Sequence, residues 1–546
     1  MKKAIKVQLT TFRDGFQSVY GGRVLLEDFI NVIPLFVEAG IKHFELWGGA
    51  RFQSLFFYCN ENAFESMDTV RKKLGSDITI QSLARGANVV GLVSQSRDII
   101  NLHAKLFKKK HRVDVIRNFD ALNDIRNLEY SGKCITKAGA KHEVTVTMMQ
   151  LPPGCNEEYI HTAKYYVDVL KNIINKKIPF DSICFKDASG TSSPHVVFET
   201  ILGAKRLLKE KNMKEMEITF HTHDTAGLAC QQYLKAIEAG VDRIDLSSEP
   251  MSSGTGQPSV VILNEMLKGS NYYLEGIDIE KFIIAENALR ESLKKYLLPP
   301  EAKAINPSIL RAPMPGGAYT ANSMMMRENG ILDKLPEVIA EMAHVIQKGG
   351  FGTSVTPVSQ IYFEQALLNV QFGPWKQLSE RYALMVLGYY GKTPGDPDSK
   401  IIQLAQKKLG KNPTDKNPVD INGKDKTKGI KAAKEILKKN GIKINDENIF
   451  IVATCAKKGI DFLLGNAKLE LFYADNITGL EAKKDPLFEE KEKIKKEISE
   501  LNKSNQLLKI ELSLNICEEY ALKNPGLIKK VLEGLDLSLS RGTQGG

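Results

Sequence analysis

The 546-residue chain has no Cys-x-x-Cys pair among its seven cysteines. Cys59, Cys134, Cys155, Cys184, Cys230, Cys455 and Cys517 are dispersed, which argues against a thiolate zinc site or a redox dithiol. An odd, unpatterned set of thiols points to a reducing, cytoplasmic setting. Long apolar runs are also missing. None reaches the ~18 residues that span a bilayer, and the opening Met1-Lys-Lys-Ala-Ile-Lys6 lacks the apolar core of a signal peptide. Positive charge is not concentrated. The formal net charge of +10 comes from scattered lysines, with short clusters at 108–110 and 423–439. Nucleic-acid binding needs a basic face with interleaved aromatics, so no nucleic acid is expected as a partner. What remains is a globular balance, 42% hydrophobic and 26% charged, with length for two or three domains.

Up to about residue 270, short β-rich runs alternate with amphipathic stretches. The expected strands are 5–11, 43–47, 78–83, 113–119, 143–148, 182–186, 217–221 and 243–246. Helical stretches are expected at 25–39, 160–175, 196–210 and 229–239. Eight β-then-α units predict an α/β fold, a (β/α)8 TIM barrel over residues 1–280. A doubly wound open sheet is the competing fold, but it would usually carry a Gly-rich phosphate turn after the first strand, and none is present. Residues 281–470 read as a mostly helical domain that covers the barrel mouth and completes the active site. Within them, 411–428 reads as an exposed polar loop. Residues 471–546 read as a charged helical extension. In it, Leu487, Ile494, Ile498, Leu501 and Leu508 stand at helical spacing, on a helix packed against its own protein or a partner.

Polar residues gather at the C-terminal ends of the expected strands. Asp14 follows the first, Trp47-Gly-Gly49 the second and Arg85 the third. Asp120, Asn123 and Asp124 follow the fourth, Lys186-Asp187 ends the sixth, and His221 and His223 close the seventh. Catalytic groups of such barrels collect at that face. Side chains two apart on a strand point the same way, so His221 and His223 can share one metal ion. A hydrogen-bonded structural pair is the plain alternative. Asp14, at the mouth of the first strand, can add a carboxylate across the barrel, because the first and seventh strands lie close in a closed eight-strand ring. A protonated Lys186 offers no lone pair and reads as an ion pair with Asp187 or Asp14. Carbamylation would make it an oxygen donor, which spacing alone does not establish. Arg13 and Arg85 can hold a carboxylate bidentately, or form ordinary surface ion pairs.

Ten motifs occur together in one order. They are Thr10-Thr-Phe-Arg-Asp-Gly-Phe-Gln-Ser18, Glu45-Leu-Trp-Gly-Gly-Ala50, Ala84-Arg-Gly-Ala-Asn88, Phe119-Asp-Ala-Leu-Asn-Asp124 and Ile183-Cys-Phe-Lys-Asp-Ala-Ser-Gly190. His221-Thr-His-Asp-Thr225, Pro250-Met-Ser-Ser-Gly-Thr255, Met314-Pro-Gly-Gly317, Val355-Thr-Pro-Val-Ser-Gln360 and Gly388-Tyr-Tyr-Gly-Lys-Thr-Pro-Gly395 follow. In these the chain resembles the carboxyltransferase subunits of biotin-dependent enzymes. That family includes the oxaloacetate decarboxylase alpha subunit, the carboxyltransferase component of pyruvate carboxylase and the large carboxyltransferase subunit of transcarboxylase.

The resemblance implies transfer of a carboxyl group between carboxybiotin on a separate biotinyl carrier protein and pyruvate or oxaloacetate, through a metal-stabilised enolate. It implies a divalent metal (zinc, manganese or cobalt) on Asp14, carbamylated Lys186, His221 and His223. Substrate contacts fall to Arg13, Gln17, Arg85 and Ser359, and catalysis to Thr356 as proton carrier, with Arg13 and Lys186. A biotin carboxylase or membrane decarboxylase subunits and a homo-oligomeric assembly would complete the complex. The biotinyl Ala-Met-Lys-Met turn is not found, and its nearest echo, Asn212-Met-Lys-Glu-Met216, falls inside the barrel region. No biotinyl or ATP-grasp domain is therefore expected in this chain. Two departures stand out: Leu92 where the family commonly has tyrosine, with Val93-Ser-Gln-Ser96 also divergent, and Ser189 in place of alanine. A biotin-independent metal lyase or synthase of the related barrel superfamily is the alternative. It would share the Arg-Asp opening and the His-x-His pair, but not the segments at 355–359 and 389–394.

Overall fold

A computed structural model describes residues 2–155 and 157–474. All eight expected strands are present: β1 (Lys3–Leu9), β2 (His43–Gly48), β3 (Thr79–Ala84), β4 (Val115–Phe119), β5 (Lys141–Thr147), β6 (Ser182–Asp187), β7 (Glu217–Thr222) and β8 (Arg243–Leu246). Each pairs in parallel with the next, and β1 pairs with both β8 and β2, so the ring closes as a TIM barrel. A short ninth strand, β9 (Tyr272–Leu274), pairs with the first residues of β1. Three residues are too few to register as a periodic pattern.

The strands alternate with period two. Ile116, Val144, Ile183, Phe185, Ile218 and Ile244 are buried in a core shared with the surrounding helices. The residues between them point inward: Arg117 of β4 reaches across to Asp245 of β8. Such barrels are usually filled by branched apolar side chains; here the filling includes a polar, hydrogen-bonded group around Arg117, Glu143 and Asp245. The outer helices start at side-chain caps. Thr162 accepts from the Tyr165 amide and Ser193 from the Val196 amide, each worth about 1 kcal/mol.

Two local departures have clear causes. The expected helix over 25–39 splits into a 3-10 turn, Leu26–Asp28, and a helix, Ile33–Glu38, with Pro34 in its first turn. Proline lacks an amide hydrogen and clashes with the preceding turn, so a helix can begin there but not run through it. The first strand stops at Leu9 rather than 11, and Thr11–Gly15 winds into one π-helical turn. Phe12 points back from this turn into a cluster with Phe16, Phe29, Phe36 and Phe44, at ring-centroid distances of 5.7, 5.6, 5.5 and 6.2 Å.

The later helices pack in two places. Met314, Val338, Met342, Val355, Tyr362 and Tyr382 share a core with Leu83, Phe119, Leu122, Met149 and Ala188, at the C-terminal ends of β3 to β6. That layer covers the barrel mouth. The helices Gly429–Lys439 and Asp446–Leu463 instead contribute Leu437 and Phe450 to the barrel's own core. The segment 411–428 departs from an exposed loop, because Pro418–Gly423 is a helix with Val419 buried. Asn417 caps it and Pro418 opens it, a local signal for a helix start. The expected charged helix at 483–510 lies outside the described residues. Among the described residues, no helix is long and apolar enough to cross a membrane.

Candidate metal centre

The π-helical turn after β1 places Arg13 and Asp14 together at the barrel mouth, both buried. Turns of this kind occur mostly as local insertions, often at functional sites. His221 lies on β7 and His223 just past its end, with ring centroids 5.0 Å apart. Both Nε2 atoms lie 3.3 Å from Asp14 Oδ2. The three side chains form a buried group able to hold a metal ion. Lys186 stands beside His221 in the β6–β7 register. Its Nζ is 2.5 Å from His221 Nε2 and 3.5 Å from Asp14 Oδ2. Asp187, the other partner considered for Lys186, instead accepts from the backbone amides of Ser189, Gly190 and Ser192.

The surrounding groups aim the donors. His221 Nδ1 is 2.7 Å from Asp245 Oδ2, and His223 Nδ1 is 2.7 Å from the Thr255 carbonyl. Both acceptors require a proton on Nδ1, which leaves each Nε2 lone pair facing Asp14. Ser18 donates to Asp14 Oδ1, while Gln257 Nε2 lies 3.4 Å from Oδ2. Arg13 lies 3.1 Å from Asp14 Oδ2 and donates to Glu45 at 2.6 Å. Two imidazole nitrogens and a carboxylate oxygen are a donor set that fits a divalent cation.

Burial pushes the Asp14 carboxyl up, but the Arg13 guanidinium, His223 and Lys186 outweigh it and hold the group well below the usual carboxylate range. Burial, then the Lys186 charge, keeps the His221 imidazole below its ordinary value, which favours the neutral ring that a nitrogen ligand needs. Burial, then the Arg13 charge, also lowers Arg85. Two buried guanidiniums with like charge favour an anion between them.

A small cavity of about 30 Å³ opens against these donors. Arg13, Gln17, Arg85, Lys186, His223 and Thr356 line it. Arg85 reaches it after anchoring on the Val90 and Gly91 carbonyls. Gly48 has φ 91°, and a Cβ there would lie 2.1 Å from the Leu83 carbonyl oxygen. That close approach lets the next glycine fit beside Gln17 and Arg85. Thr356 arrives on the loop after Lys348. Thr147 Oγ1 donates to Thr353 Oγ1, the Thr353 amide to the Ala121 carbonyl, and His161 Nε2 to the Phe351 carbonyl. Ser359 is fully buried in the first turn of the helix Val358–Phe372 and is not among the lining residues. A larger hollow of about 290 Å³ adjoins the first and shares Arg85 and Phe119 with it. Leu92 and Val93, 40% and 55% exposed, stand on the wall of this second hollow. Ser189 faces neither hollow; its hydroxyl bonds Asp187 and Thr191.

Sequence reasoning missed Asp245, Thr255 and Gln257. Asp245 left a signal, a carboxylate inside an expected strand. Thr255 acts through its backbone carbonyl, which no side-chain pattern reveals. Gln257 lies in a loop with no periodicity to mark it.

Comparison with known proteins adds lineage to this geometry. A family described as a conserved carboxylase domain matches residues 309–508. The chain is 32% identical over 471 residues to a pyruvate carboxylase subunit of Methanocaldococcus jannaschii, covering 85% of this chain and 79% of that protein. It is 31% identical over 444 residues to the methylmalonyl-CoA carboxyltransferase 5S subunit of Propionibacterium freudenreichii subsp. shermanii, covering 81% and 84%. The carboxyl transferase domain of Rhizobium etli pyruvate carboxylase, solved with pyruvate, superposes with a TM-score of 0.74 at 25% identity, covering 85% of this chain and 77% of that one.

Proposed function

The chain belongs to the carboxyltransferase subunits of biotin-dependent enzymes, and we propose that it moves a carboxyl group between carboxybiotin on a separate carrier chain and pyruvate or oxaloacetate. One observation carries this reading. Asp14 and His223, two of the three grouped donors with His221 behind them, line a cavity of about 30 Å³ that Arg13, Arg85 and Thr356 also line. That combination suits a small keto acid: two cations for its carboxylate, a donor cluster for its keto oxygen and a hydroxyl for its methyl proton.

Asp14, His221, His223 and a carbamylated Lys186 would hold the divalent cation, which supplies positive charge to the oxygen that becomes negative as the enolate forms. Arg13 and Arg85 orient the substrate carboxylate. Thr356 is a weak acid alone, but a hydroxyl held between donor and acceptor can relay a proton. It takes the methyl proton as its own goes to the biotin nitrogen that loses the carboxyl group. The adjoining hollow of about 290 Å³ is the approach we assign to the biotin ring. Leu92 therefore touches the biotin side of the site, and the departure from tyrosine leaves the keto-acid side unchanged.

Thr356→Ala tests this. The variant should keep its fold and bound metal and lose carboxyl transfer by about 10²- to 10⁴-fold. Oxaloacetate decarboxylation with free biotin or a biotinyl carrier measures it. Near wild-type turnover would return Thr356 to an ordinary loop residue and favour the biotin-independent lyase chemistry.

A further inference from the structure

The barrel interior holds a chain of charged groups that ends behind one histidine. Asp245 of β8 lies beside His221 and accepts from its Nδ1 at 2.7 Å. Arg117, from β4 on the other side of the ring, grips both Asp245 oxygens through Nη1 and Nη2. Its Nε donates to Glu143 of β5. Glu143 in turn accepts from Gln81 Nε2 at 3.1 Å and Thr219 Oγ1 at 2.9 Å, and Gln81 Oε1 lies 3.0 Å from His43 Nε2. Arg117, Asp245 and His221 are 0% exposed, and Glu143 is 2% exposed.

Burying two carboxylates and a guanidinium costs several kcal/mol per ion, and a well-packed apolar filling is often as stable or more so. Stability alone therefore does not account for the cluster. The two site histidines differ in the way this cluster would explain. His223 Nδ1 meets a backbone carbonyl, which cannot swing away. His221 Nδ1 meets a side chain, which can, unless something pins both its oxygens. Arg117 does so, and its fork is held from the far end by Glu143.

We propose that Asp245, pinned by Arg117 and Glu143, is a positioning residue that fixes His221 as a nitrogen ligand. The inference rests on the reading of Asp14, His221 and His223 as a metal site. The carboxylate keeps the proton on Nδ1, orients the ring so that Nε2 faces Asp14, and raises the donor strength of that nitrogen. Arg117 and Glu143 act through Asp245 and touch neither metal nor substrate.

Cobalt titration of the purified full chain tests it, with affinity read by competition against a chelator and geometry by the visible absorption of bound cobalt. Asp245→Asn should weaken cobalt binding by about 10- to 100-fold and change the absorption bands, with far-ultraviolet circular dichroism unchanged. Arg117→Lys keeps the positive charge but loses the two-pronged grip. It should shift affinity the same way by less, and it decides the matter alone if Asp245→Asn does not fold. Variants that melt earlier yet bind cobalt as tightly as wild type, with the same spectrum, would overturn the proposal and leave the cluster a core ion group. Wild-type binding that His221→Ala abolishes and Asp245→Asn leaves intact overturns this inference while sparing the site. A wild-type chain that takes up no cobalt overturns both.

Discussion

His221 on β7 and His223 just past its end turn to the common side that period two assigns them, and each has its second nitrogen committed elsewhere. The pair therefore carries a sharp expectation. Protein purified without chelator should hold one divalent metal per chain by elemental analysis, and the double variant His221→Ala, His223→Ala should hold none. Full retention of metal would remove the site assignment. Leu92 carries a second expectation at this scale. Leu92→Tyr should change the concentration dependence on biotin or its carrier and leave the KM for the keto acid unchanged, because Leu92 lines only the larger hollow. A shifted keto-acid KM would show that the two hollows act as one.

Among the elements, the π-helical turn at Thr11–Gly15 does the most with the fewest residues. It sends Phe12 backward into four aromatic neighbours and lets Arg13 and Asp14, adjacent in sequence, face the same site. On a regular strand they would point to opposite faces. Phe12→Ala should cost about 3–5 kcal/mol of stability, measured by denaturant unfolding. It should also weaken metal binding, because the turn that carries Asp14 loses its anchor. Unchanged metal affinity in the folded variant would show that the turn holds its shape without the aromatic cluster.

At the scale of the whole molecule, the donors come from both sides of the seam where the barrel closes. Asp14 follows β1, while His221 is on β7, and β8 separates the two strands in the ring. A cation on these donors ties the first strand of the barrel to its last ones. Anything that binds only the native state adds RT ln(1 + [L]/Kd), about 2.7 kcal/mol at a hundredfold excess over Kd. Added cobalt or manganese should therefore raise the melting temperature of the wild-type chain, and chelator should lower it. The His221→Ala, His223→Ala variant should respond to neither. Equal responses in both would place the binding elsewhere.

Much of this was local enough to be legible in the amino-acid order. Eight β–α units, the polar residues at their C-terminal ends and the ten ordered motifs are properties of neighbours along the chain. Strand periodicity and cap chemistry act over a few residues, so barrel, family and the polar residues lining the cavity could be read from the sequence, while the apolar half of its lining could not. Three things were decided only by folding. The first is the inward turn of Arg13 beside Asp14, which depends on a π-helical winding stabilised by packing of Phe12. The second is the partner of each histidine, Asp245 from 24 residues away and the Thr255 carbonyl from 32. The third is the polar group inside the barrel, where Arg117 bridges Glu143 and Asp245 from three different strands. A residue's sequence neighbours set its strand and its face. They carry no information about which side chain a closed ring will bring opposite it, and that opposition is what orients the metal centre.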